Sequence, residues 1–431
     1  MKKNIRVALA TASCALVQPM AVQAEDEHTI GDWDIGAALL FYNEPDRVQA
    51  IEPVVTARKH IDTDEWLNLK LTVDSLTGSS GSGAVPTSRP QTFTNPSGDG
   101  RYTIGANETP LDDTFLDTRV ALNASWEKPI AADTTMVLGG NVSKEYDYFS
   151  VALSSTFARD FRAGNTTVLA GLAAEFDQAD PVGGVPIPFG EMAEQDGAQP
   201  RGASSDDKIV IDAVLGVTQI IDENSLFQLN YSVSQSDGYL TDPYKIISVV
   251  DATTGIPLFR NANSPDLPVA VFENRPDTRL KHSLYGQYKR FLSGDVMDIS
   301  YRFMTDDWGI DSHTIDARYR WKLSDSTHLT PHIRVYQQSA ADFYQRFYIS
   351  GDQPTAGDAN AYGTSDYRLG EFTAYTIGLE YGMELARSSW SVAVEYYLQS
   401  GDEPAGKFGE LLNQELYPDV DAMMLRLIYD F

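Results

Sequence analysis

The sequence predicts an all-β fold, a transmembrane antiparallel up-and-down β-barrel of about sixteen strands. Segments of roughly ten to fourteen residues alternate apolar with polar side chains, as tilted membrane-crossing strands do. The connections between these segments are alternately short and long. After the N-terminal segment, no stretch approaches the ~20 continuous apolar residues of a spanning helix. Because every backbone polar group in lipid must be paired, a membrane protein of this composition is expected to be a closed barrel.

Residues 1–24 are predicted to be a secretory signal peptide. Three basic residues within the first six positions precede a mostly apolar run, and Val22 and Ala24 supply the small residues that signal peptidase reads. Polar residues and a proline interrupt the apolar run, so it is interpreted as a cleaved signal and not as an anchor. The alternative is lipidation of Cys14, which is disfavoured because Thr11 stands where a lipobox carries leucine.

The rest of the chain, residues 25–431, is predicted to form one outer-membrane β-barrel domain. Cleavage after Ala24 would remove three positive charges, so the net charge of −28 would become −31. Cys14 is the only cysteine, so no disulfide holds the remaining chain, and a closed barrel would have to supply the stability. The excess of acidic residues argues against nucleic acid as a partner, because phosphate neutralisation requires lysine and arginine in excess.

The strands are predicted from strict alternation of side-chain character. In one segment, for example, Ile315, Ala317 and Tyr319 alternate with Asp316 and Arg318. Sixteen segments of this kind begin near residues 32, 48, 65, 114, 133, 148, 166, 207, 226, 278, 295, 312, 328, 371, 389 and 420.

The connections fall into two sets. Seven are short, at residues 60–65, 127–133, 160–165, 221–225, 292–295, 323–327 and 385–388. Five in the alternate set are long, at residues 76–113, 178–206, 237–277, 339–370 and 400–419. Short periplasmic turns and long extracellular loops are typical of outer-membrane barrels, and an even strand number puts both termini at the periplasmic end.

Four of the six tryptophans lie within two or three residues of a short turn. They are Trp66, Trp126, Trp321 and Trp390. Indole rings are favoured at the boundary between lipid and water, so these four are predicted to mark the inner membrane interface.

The closing segment predicts how the protein reaches its membrane. Leu425, Leu427, Tyr429 and Phe431 alternate with less apolar residues, and the chain ends on an aromatic residue. This pattern resembles the C-terminal insertion signal that the bacterial barrel-assembly machinery recognises in its clients. The expected partners are therefore this machinery, outer-membrane lipid and lipopolysaccharide.

The lumen is predicted to carry one basic wall. If the more apolar side of each strand between residues 280 and 335 faces lipid, six basic side chains on four consecutive strands face inward: Lys281, Lys289, Arg302, Arg318, Arg320 and Arg334. The five long loops carry a net charge of about −15 by count, so the mouth is expected to be acidic. An alternative remains open, in which the charges only pair with one another and fill the lumen.

No motif in the chain predicts a catalytic, cofactor-binding or metal-binding site. The sequence has no G-x-S-x-G, H-E-x-x-H, phosphate loop or C-x-x-C pattern. His328 and His332 share one strand face, about 13 Å apart at strand rise, which is too far for one metal ion. His282 and Ser283 are neighbours on opposite strand faces, so they cannot act together. No cofactor is expected, and an enzyme is the less favoured class.

Two blocks of sequence resemble a known family. They are Lys70-Leu-Thr-Val-Asp-Ser-Leu-Thr-Gly78 with the Gly/Ser-rich run after it, and Asp277-Thr-Arg-Leu-Lys-His-Ser-Leu-Tyr-Gly286 continuing through residues 298–309. The family is an uncharacterised one, made up of bacterial proteins of unknown function that are predicted to be outer-membrane β-barrels. The resemblance implies a Gram-negative outer-membrane location and a barrel fold, and it implies no substrate.

The function predicted from the sequence is a porin-like passive channel for small solutes. A barrel of sixteen strands is wide enough for water unless a loop folds inward, and residues 76–113 and 237–277 are the candidates for such a plug. The second candidate includes a predicted small hairpin around residues 253–255. The alternatives are a barrel-borne envelope hydrolase and a plugged structural or assembly partner. The permeant solute and the oligomeric state are not predicted.

Overall fold

A computed structural model describes residues 30–45, 47–95, 100–193, 200–261, 264–402, 406–417 and 419–431. The predicted signal peptide lies outside these residues. No helix within them is both long enough and apolar enough to cross a membrane.

The described residues form twenty-three strands and three short 3-10 turns. The strands are β1 (Trp33–Asn43), β2 (Val48–Asp62), β3 (Glu65–Gly81), β4 (Gln91–Thr94), β5 (Arg101–Ile104), β6 (Leu111–Ala131), β7 (Thr134–Lys144), β8 (Tyr148–Phe161), β9 (Thr166–Ala179), β10 (Asp206–Asp222), β11 (Ser225–Gly238), β12 (Ile246–Val250), β13 (Phe259–Asn261), β14 (Ser264–Pro268), β15 (Ala270–Phe272), β16 (Thr278–Leu292), β17 (Asp295–Asp306), β18 (Asp311–Lys322), β19 (Thr327–Gln338), β20 (Phe347–Ile349), β21 (Phe372–Glu384), β22 (Ser389–Gly401) and β23 (Val420–Asp430). The 3-10 turns are Arg162–Gly164, Tyr367–Leu369 and Gly409–Asn413.

Sixteen of these strands form one closed antiparallel barrel, which confirms the predicted fold class. Its order is β1-β2-β3-β6-β7-β8-β9-β10-β11-β16-β17-β18-β19-β21-β22-β23. The last strand pairs back onto the first, with Leu39 opposite Leu427. The closure leaves no strand edge unpaired, which a membrane-crossing sheet requires. All sixteen predicted segments are barrel strands, each beginning within three residues of the expected position.

The two faces of the barrel differ in character, as the alternation predicted. On β23, Leu427 and Tyr429 point outward with 39% of their surface exposed. Arg426, between Leu427 and Leu425, points inward and lies 3.1 Å from the Glu380 carboxylate. Side chains of a strand alternate between faces, so one parity builds the apolar outer surface and the other builds the polar wall of the lumen.

The ends of the barrel are asymmetric, and this prediction is confirmed. Seven turns of two to four residues connect strands at one end. At the other end, five long loops span residues 82–110, 180–205, 239–277, 339–371 and 402–419. The chain enters β1 and leaves β23 at the short-turn end.

The prediction for Trp66 is wrong. Trp66 shares its strand face with the inward residue Asn68, and it pairs across the sheet with Glu127 on the lumen wall. Its ring stacks on His60 at 4.4 Å and lies 3.9 Å beneath the Arg58 guanidinium. The distance of a residue from a turn determines its position along the barrel axis. Whether its side chain points inward or outward depends instead on its odd or even place along the strand. The other three tryptophans have outward parity near short turns.

The buried apolar core does not lie within the barrel wall. Its clusters consist almost entirely of residues from the five long loops, including Phe93, Met192, Ile247 and Leu411. These loops together form a folded body at the long-loop end, and we call the five loops the cap.

Candidate functional site

The centre of the cap is a three-stranded sheet that joins two loops. Strand β12 lies between β15, from its own loop, and β20, which belongs to the loop of residues 339–371. All five residues of β12 are buried, and Ser248 pairs with Phe347 in the parallel ladder. Because β12 is apolar on both faces, it needs other loops to cover it, and this requirement explains why the loops fold together.

Apolar clusters connect the remaining loops to this sheet. One cluster joins Phe93, Met192 and Phe272, which come from three different loops. Another joins Val250 to Leu411, from the last long loop. Both predicted plug segments therefore contribute, but all five loops build the cap.

The predicted hairpin around residues 253–255 is present. Val250 pairs with Pro257, and the Asp251 carboxylate accepts hydrogen bonds from the Thr253 and Thr254 amides at 3.0 and 2.8 Å. These hydrogen bonds lower the pKa of Asp251, and those from Thr254 have the larger effect.

A set of charged residues links the same two loops by ion pairs. The Arg275 guanidinium lies 2.6 Å from Glu273 and 2.9 Å from Asp366. Arg368 lies 2.6 Å from Asp366 and 2.8 Å from Asp242. We call these five residues the ionic cluster of the cap; it contains three carboxylates and two guanidiniums, and Lys245 is a further cation near Asp242 and Asp366.

The electrostatics of the ionic cluster follow from its burial. Burial raises the pKa of Glu273 to about 6 although Arg275 is beside it. Burial acts in the same direction on Asp366, but Arg368 and Arg275 outweigh it and hold the pKa of Asp366 well below its usual range. Removing one partner from such a set leaves an uncompensated buried charge, which is costly.

The cap rests on the rim of the barrel through inward-facing side chains. Gln338, at the end of β19, donates to the Gly370 and Arg368 carbonyls at 2.8 and 3.0 Å. On β22, Gln399 donates to the Tyr417 hydroxyl at 3.0 Å. The Tyr417 ring lies against Gly401, where no Cβ would fit. These contacts join the cap to the rim of the barrel at the long-loop end.

The six residues of the predicted basic wall all have inward parity on β16–β19. Three of them lie beside carboxylates. Lys289 is 3.1 Å from Asp298, and Arg320 is 2.7 Å from Glu384. Arg318 lies 3.6 Å from Asp316, which is a looser contact.

The other three, Lys281, Arg302 and Arg334, form no ion pair with any described residue. The Arg302 guanidinium lies over the Tyr285 ring at 5.4 Å, and both arginines are exposed. The lumen thus contains paired and unpaired basic groups side by side.

His332 is the centre of a further contact set on the inner wall. Its two ring nitrogens lie 2.9 Å from Asp316 and 2.8 Å from Glu395. His328 instead lies 3.0 Å from Arg320 and 3.9 Å from Glu380. Within the described part of the chain, no group of three or more His, Cys, Asp or Glu residues is arranged to hold a metal ion.

His282 lies on the outer face, where its Nδ1 is 2.7 Å from the Tyr231 hydroxyl. A second pair of this kind, Tyr301 and His313, lies on the outer face of β17 and β18 at the same distance. Ser283 has the opposite parity and pairs across the sheet with Met304 on the lumen wall. The structure therefore does not bring His282 and Ser283 together.

The opposite side of the lumen is acidic, and most of this side was missed by sequence reasoning. Glu52, Asp74 and Asp117 have inward parity on the consecutive strands β2, β3 and β6, and the register places Glu52 beside Asp74. Asp74 also accepts a hydrogen bond from the Arg119 side chain at 2.5 Å. The inward parity of Glu52 was available in the sequence, but its contact with Asp74 depends on the register between β2 and β3.

Comparison with protein families identifies the chain. Residues 6–431 match the model of the family described as "Protein of unknown function (DUF3570)", and the chain belongs to this family. None of the curated proteins compared with the chain matches it.

Solved structures match the chain at low sequence identity. The ferric enterobactin receptor of Pseudomonas aeruginosa is 10% identical with a TM-score of 0.45, over 92% of this chain and 59% of the receptor. A siderophore receptor of Acinetobacter baumannii is 9% identical with a TM-score of 0.41, over 86% and 53%. A bacterial polysaccharide outer-membrane secretin is 8% identical with a TM-score of 0.42, over 94% and 99%. The chain therefore spans a little over half of the receptors it matches.

Proposed function

We propose that the protein is a porin-like passive channel for small solutes in the bacterial outer membrane, with the cap restricting its extracellular mouth. The observation that carries the proposal is the accessibility of charged side chains inside the barrel. Arg302 and Arg334 point into the lumen four residues from the cap ends of β17 and β19, and both side chains are exposed. A lumen filled by protein would bury them, so this arrangement supports a water-filled passage beneath the cap.

The outer surface supports the proposed location. Leu425, Leu427, Tyr429 and Phe431 share the outward parity of β23, and the Phe431 amide donates to the Ile35 carbonyl at 2.9 Å. An apolar outer face with an aromatic closing strand fits insertion by the barrel-assembly machinery, with lipid and lipopolysaccharide as surroundings.

A plugged structural or assembly partner is the competing function. The cap has its own sheet and apolar clusters, and these features favour a permanently closed mouth. The two functions differ in whether ions cross the wild-type barrel.

Single-channel recording in a planar bilayer distinguishes them. We expect discrete, ohmic current steps from the purified wild-type protein. A wild-type protein that inserts but passes no current would refute the passive channel and favour the plugged barrel.

The orientation predicts which segments a protease reaches. A cleavage site placed within residues 351–360 of the cap should be cut on intact cells, because this end is expected to be extracellular. A site within residues 323–327, a short turn between β18 and β19, should be protected until the outer membrane is broken. The reverse pattern would contradict the orientation, and cutting at both sites on intact cells would contradict the membrane location.

The basic wall is proposed to bias ion selectivity. Arg318→Glu combined with Arg320→Glu should shift the reversal potential toward that of a cation-selective channel by roughly 10 mV. For comparison, a tenfold salt gradient across a fully selective channel gives ~59 mV. Charges inside a narrow aqueous passage act on ions with little screening, whereas distant mouth charges are damped beyond about 8 Å. The control, Asp352→Asn with Asp358→Asn in the cap, should shift it less. A conducting double mutant with unchanged selectivity would exclude these arginines as the selectivity filter.

A further inference from the structure

The charges of the lumen are unevenly distributed, and this distribution points to a class of solute. Among the described inner-face residues, one side of the wall has more basic groups than carboxyl groups, and the other side has more carboxyl groups than basic groups. The inference deepens the proposed channel function and rests on it.

The basic side lies on β16–β19. Lys281, Arg302 and Arg334 are its unpaired members, and each lies three or four residues from the cap end of its strand. Among the described residues, the inner face of these four strands carries eight basic side chains against three carboxylates. The basic ones are Arg279, Lys281, Lys289, Arg302, Arg318, Arg320, Lys322 and Arg334, and the carboxylates are Asp298, Asp306 and Asp316. The surplus is positive.

The acidic side lies on β2, β3 and β6 and at Glu145, the first residue after β7. Glu52, Asp117 and Glu145 form no ion pair with another described residue, and the register of β2 and β3 places Glu52 beside Asp74. Described inner-face residues here comprise three basic and five acidic side chains. They are Arg58, Lys70 and Arg119 against Glu52, Asp74, Asp117, Glu127 and Glu145. The surplus is negative.

The barrel order places the two sides opposite each other. Strands β2, β3, β6 and β7 are the second to fifth of sixteen, and β16–β19 are the tenth to thirteenth. Each strand of one set is therefore eight strands from its counterpart in the other set, which is half of the circumference. Glu52, Arg302 and Arg334 each lie four residues from the cap end of their strands, so the opposing charges also lie at a similar height.

We propose that the lumen beneath the cap selects zwitterionic solutes, small molecules that carry both an ammonium and a carboxylate group, as amino acids and short peptides do. A solute with one charge is attracted by one side and repelled by the other. A zwitterion aligns across the lumen with its carboxylate toward Arg302 and Arg334 and its ammonium toward Glu52 and Glu145. The preference is strongest at low ionic strength, where the Debye length exceeds the 8 Å of physiological salt.

The test compares two isomers of equal mass in liposome-swelling assays with the full protein in low-salt buffer. Alanine is a zwitterion, and lactamide is neutral. We expect swelling in alanine to be at least about twofold faster than in lactamide. Arg302→Gln combined with Arg334→Gln should bring the ratio to about one. The control, Lys59→Gln with Arg159→Gln, removes two positive charges from the outer face and should leave the ratio unchanged.

Swelling well above that of protein-free liposomes, but at equal rates in both isomers, would overturn the zwitterion preference and leave the channel intact. An undiminished preference in the Arg302 and Arg334 double variant would also overturn it. No swelling above protein-free liposomes in either isomer would refute the channel itself.

Discussion

The variant Arg275→Ala is expected to open the capped mouth and to raise single-channel conductance several-fold. Arg275 holds Glu273 at 2.6 Å and Asp366 at 2.9 Å, and it thereby ties the loop of residues 239–277 to that of residues 339–371. Removing one partner of a buried ion pair costs about 3–5 kcal/mol. The barrel wall is held by its own ladder of backbone hydrogen bonds, so the lost stability affects only the cap. The cap is therefore expected to unfold locally while the wall stays folded.

The measurement is conductance in a planar bilayer, with protease sensitivity of the cap as a second observable. Arg101→Ala is the matched control, because Arg101 is an exposed cap residue on β5 that forms no ion pair with the described residues. It should leave both observables unchanged. If Arg275→Ala loosens the cap toward protease but does not alter conductance, the cap does not restrict the passage.

The second large effect concerns insertion. Leu427→Arg should strongly reduce the amount of folded barrel in the outer membrane, because an arginine facing lipid near the midplane costs about 2–4 kcal/mol. Leu427 faces outward on the strand that closes the barrel against β1. Ile428→Arg places the same side chain one residue away on the inner face, and it should insert nearly as well as the wild type. The assay is the heat-modifiable fraction of the protein in isolated outer membranes.

Two further changes test the same strand. Deleting Phe431 should impair insertion, since it removes the terminal aromatic residue whose ring makes an edge-on contact with Tyr429 at 4.6 Å between centroids. Arg426→Ala should insert almost normally because Arg426 faces the lumen beside Glu380. Normal insertion of Leu427→Arg together with failure of Arg426→Ala would mean that the assigned faces are inverted.

The barrel could be predicted from the sequence because its signal is local. Alternation on a strand such as β18 shows which side chains share a face, and the lengths of the connections show which ends meet. For this reason the strand number and the loop asymmetry were predicted correctly. Trp66 was misplaced because its height was considered without its parity.

The cap and the acidic side could not be predicted in the same way. Arg275 and Asp366 are 91 residues apart, and no periodic pattern connects them. The contact between Glu52 and Asp74 needs the register of two neighbouring strands, which alternation alone leaves undetermined. The basic wall could be predicted because it lies on four consecutive strands. Its division into paired and unpaired groups could not, because it depends on side-chain distances.

In the proposed channel, solutes pass through a water-filled lumen along the wall formed by β16–β19. Chemical modification of the Arg302→Cys variant during single-channel recording tests it most directly, in a background where Cys14, the only native cysteine, lies in the predicted signal peptide. A charged, water-soluble thiol reagent added to the bilayer chamber is predicted to lower the current in a discrete step, while the wild-type current stays constant. An absent wild-type current, or an Arg302→Cys current that the reagent leaves unchanged, would contradict the claim.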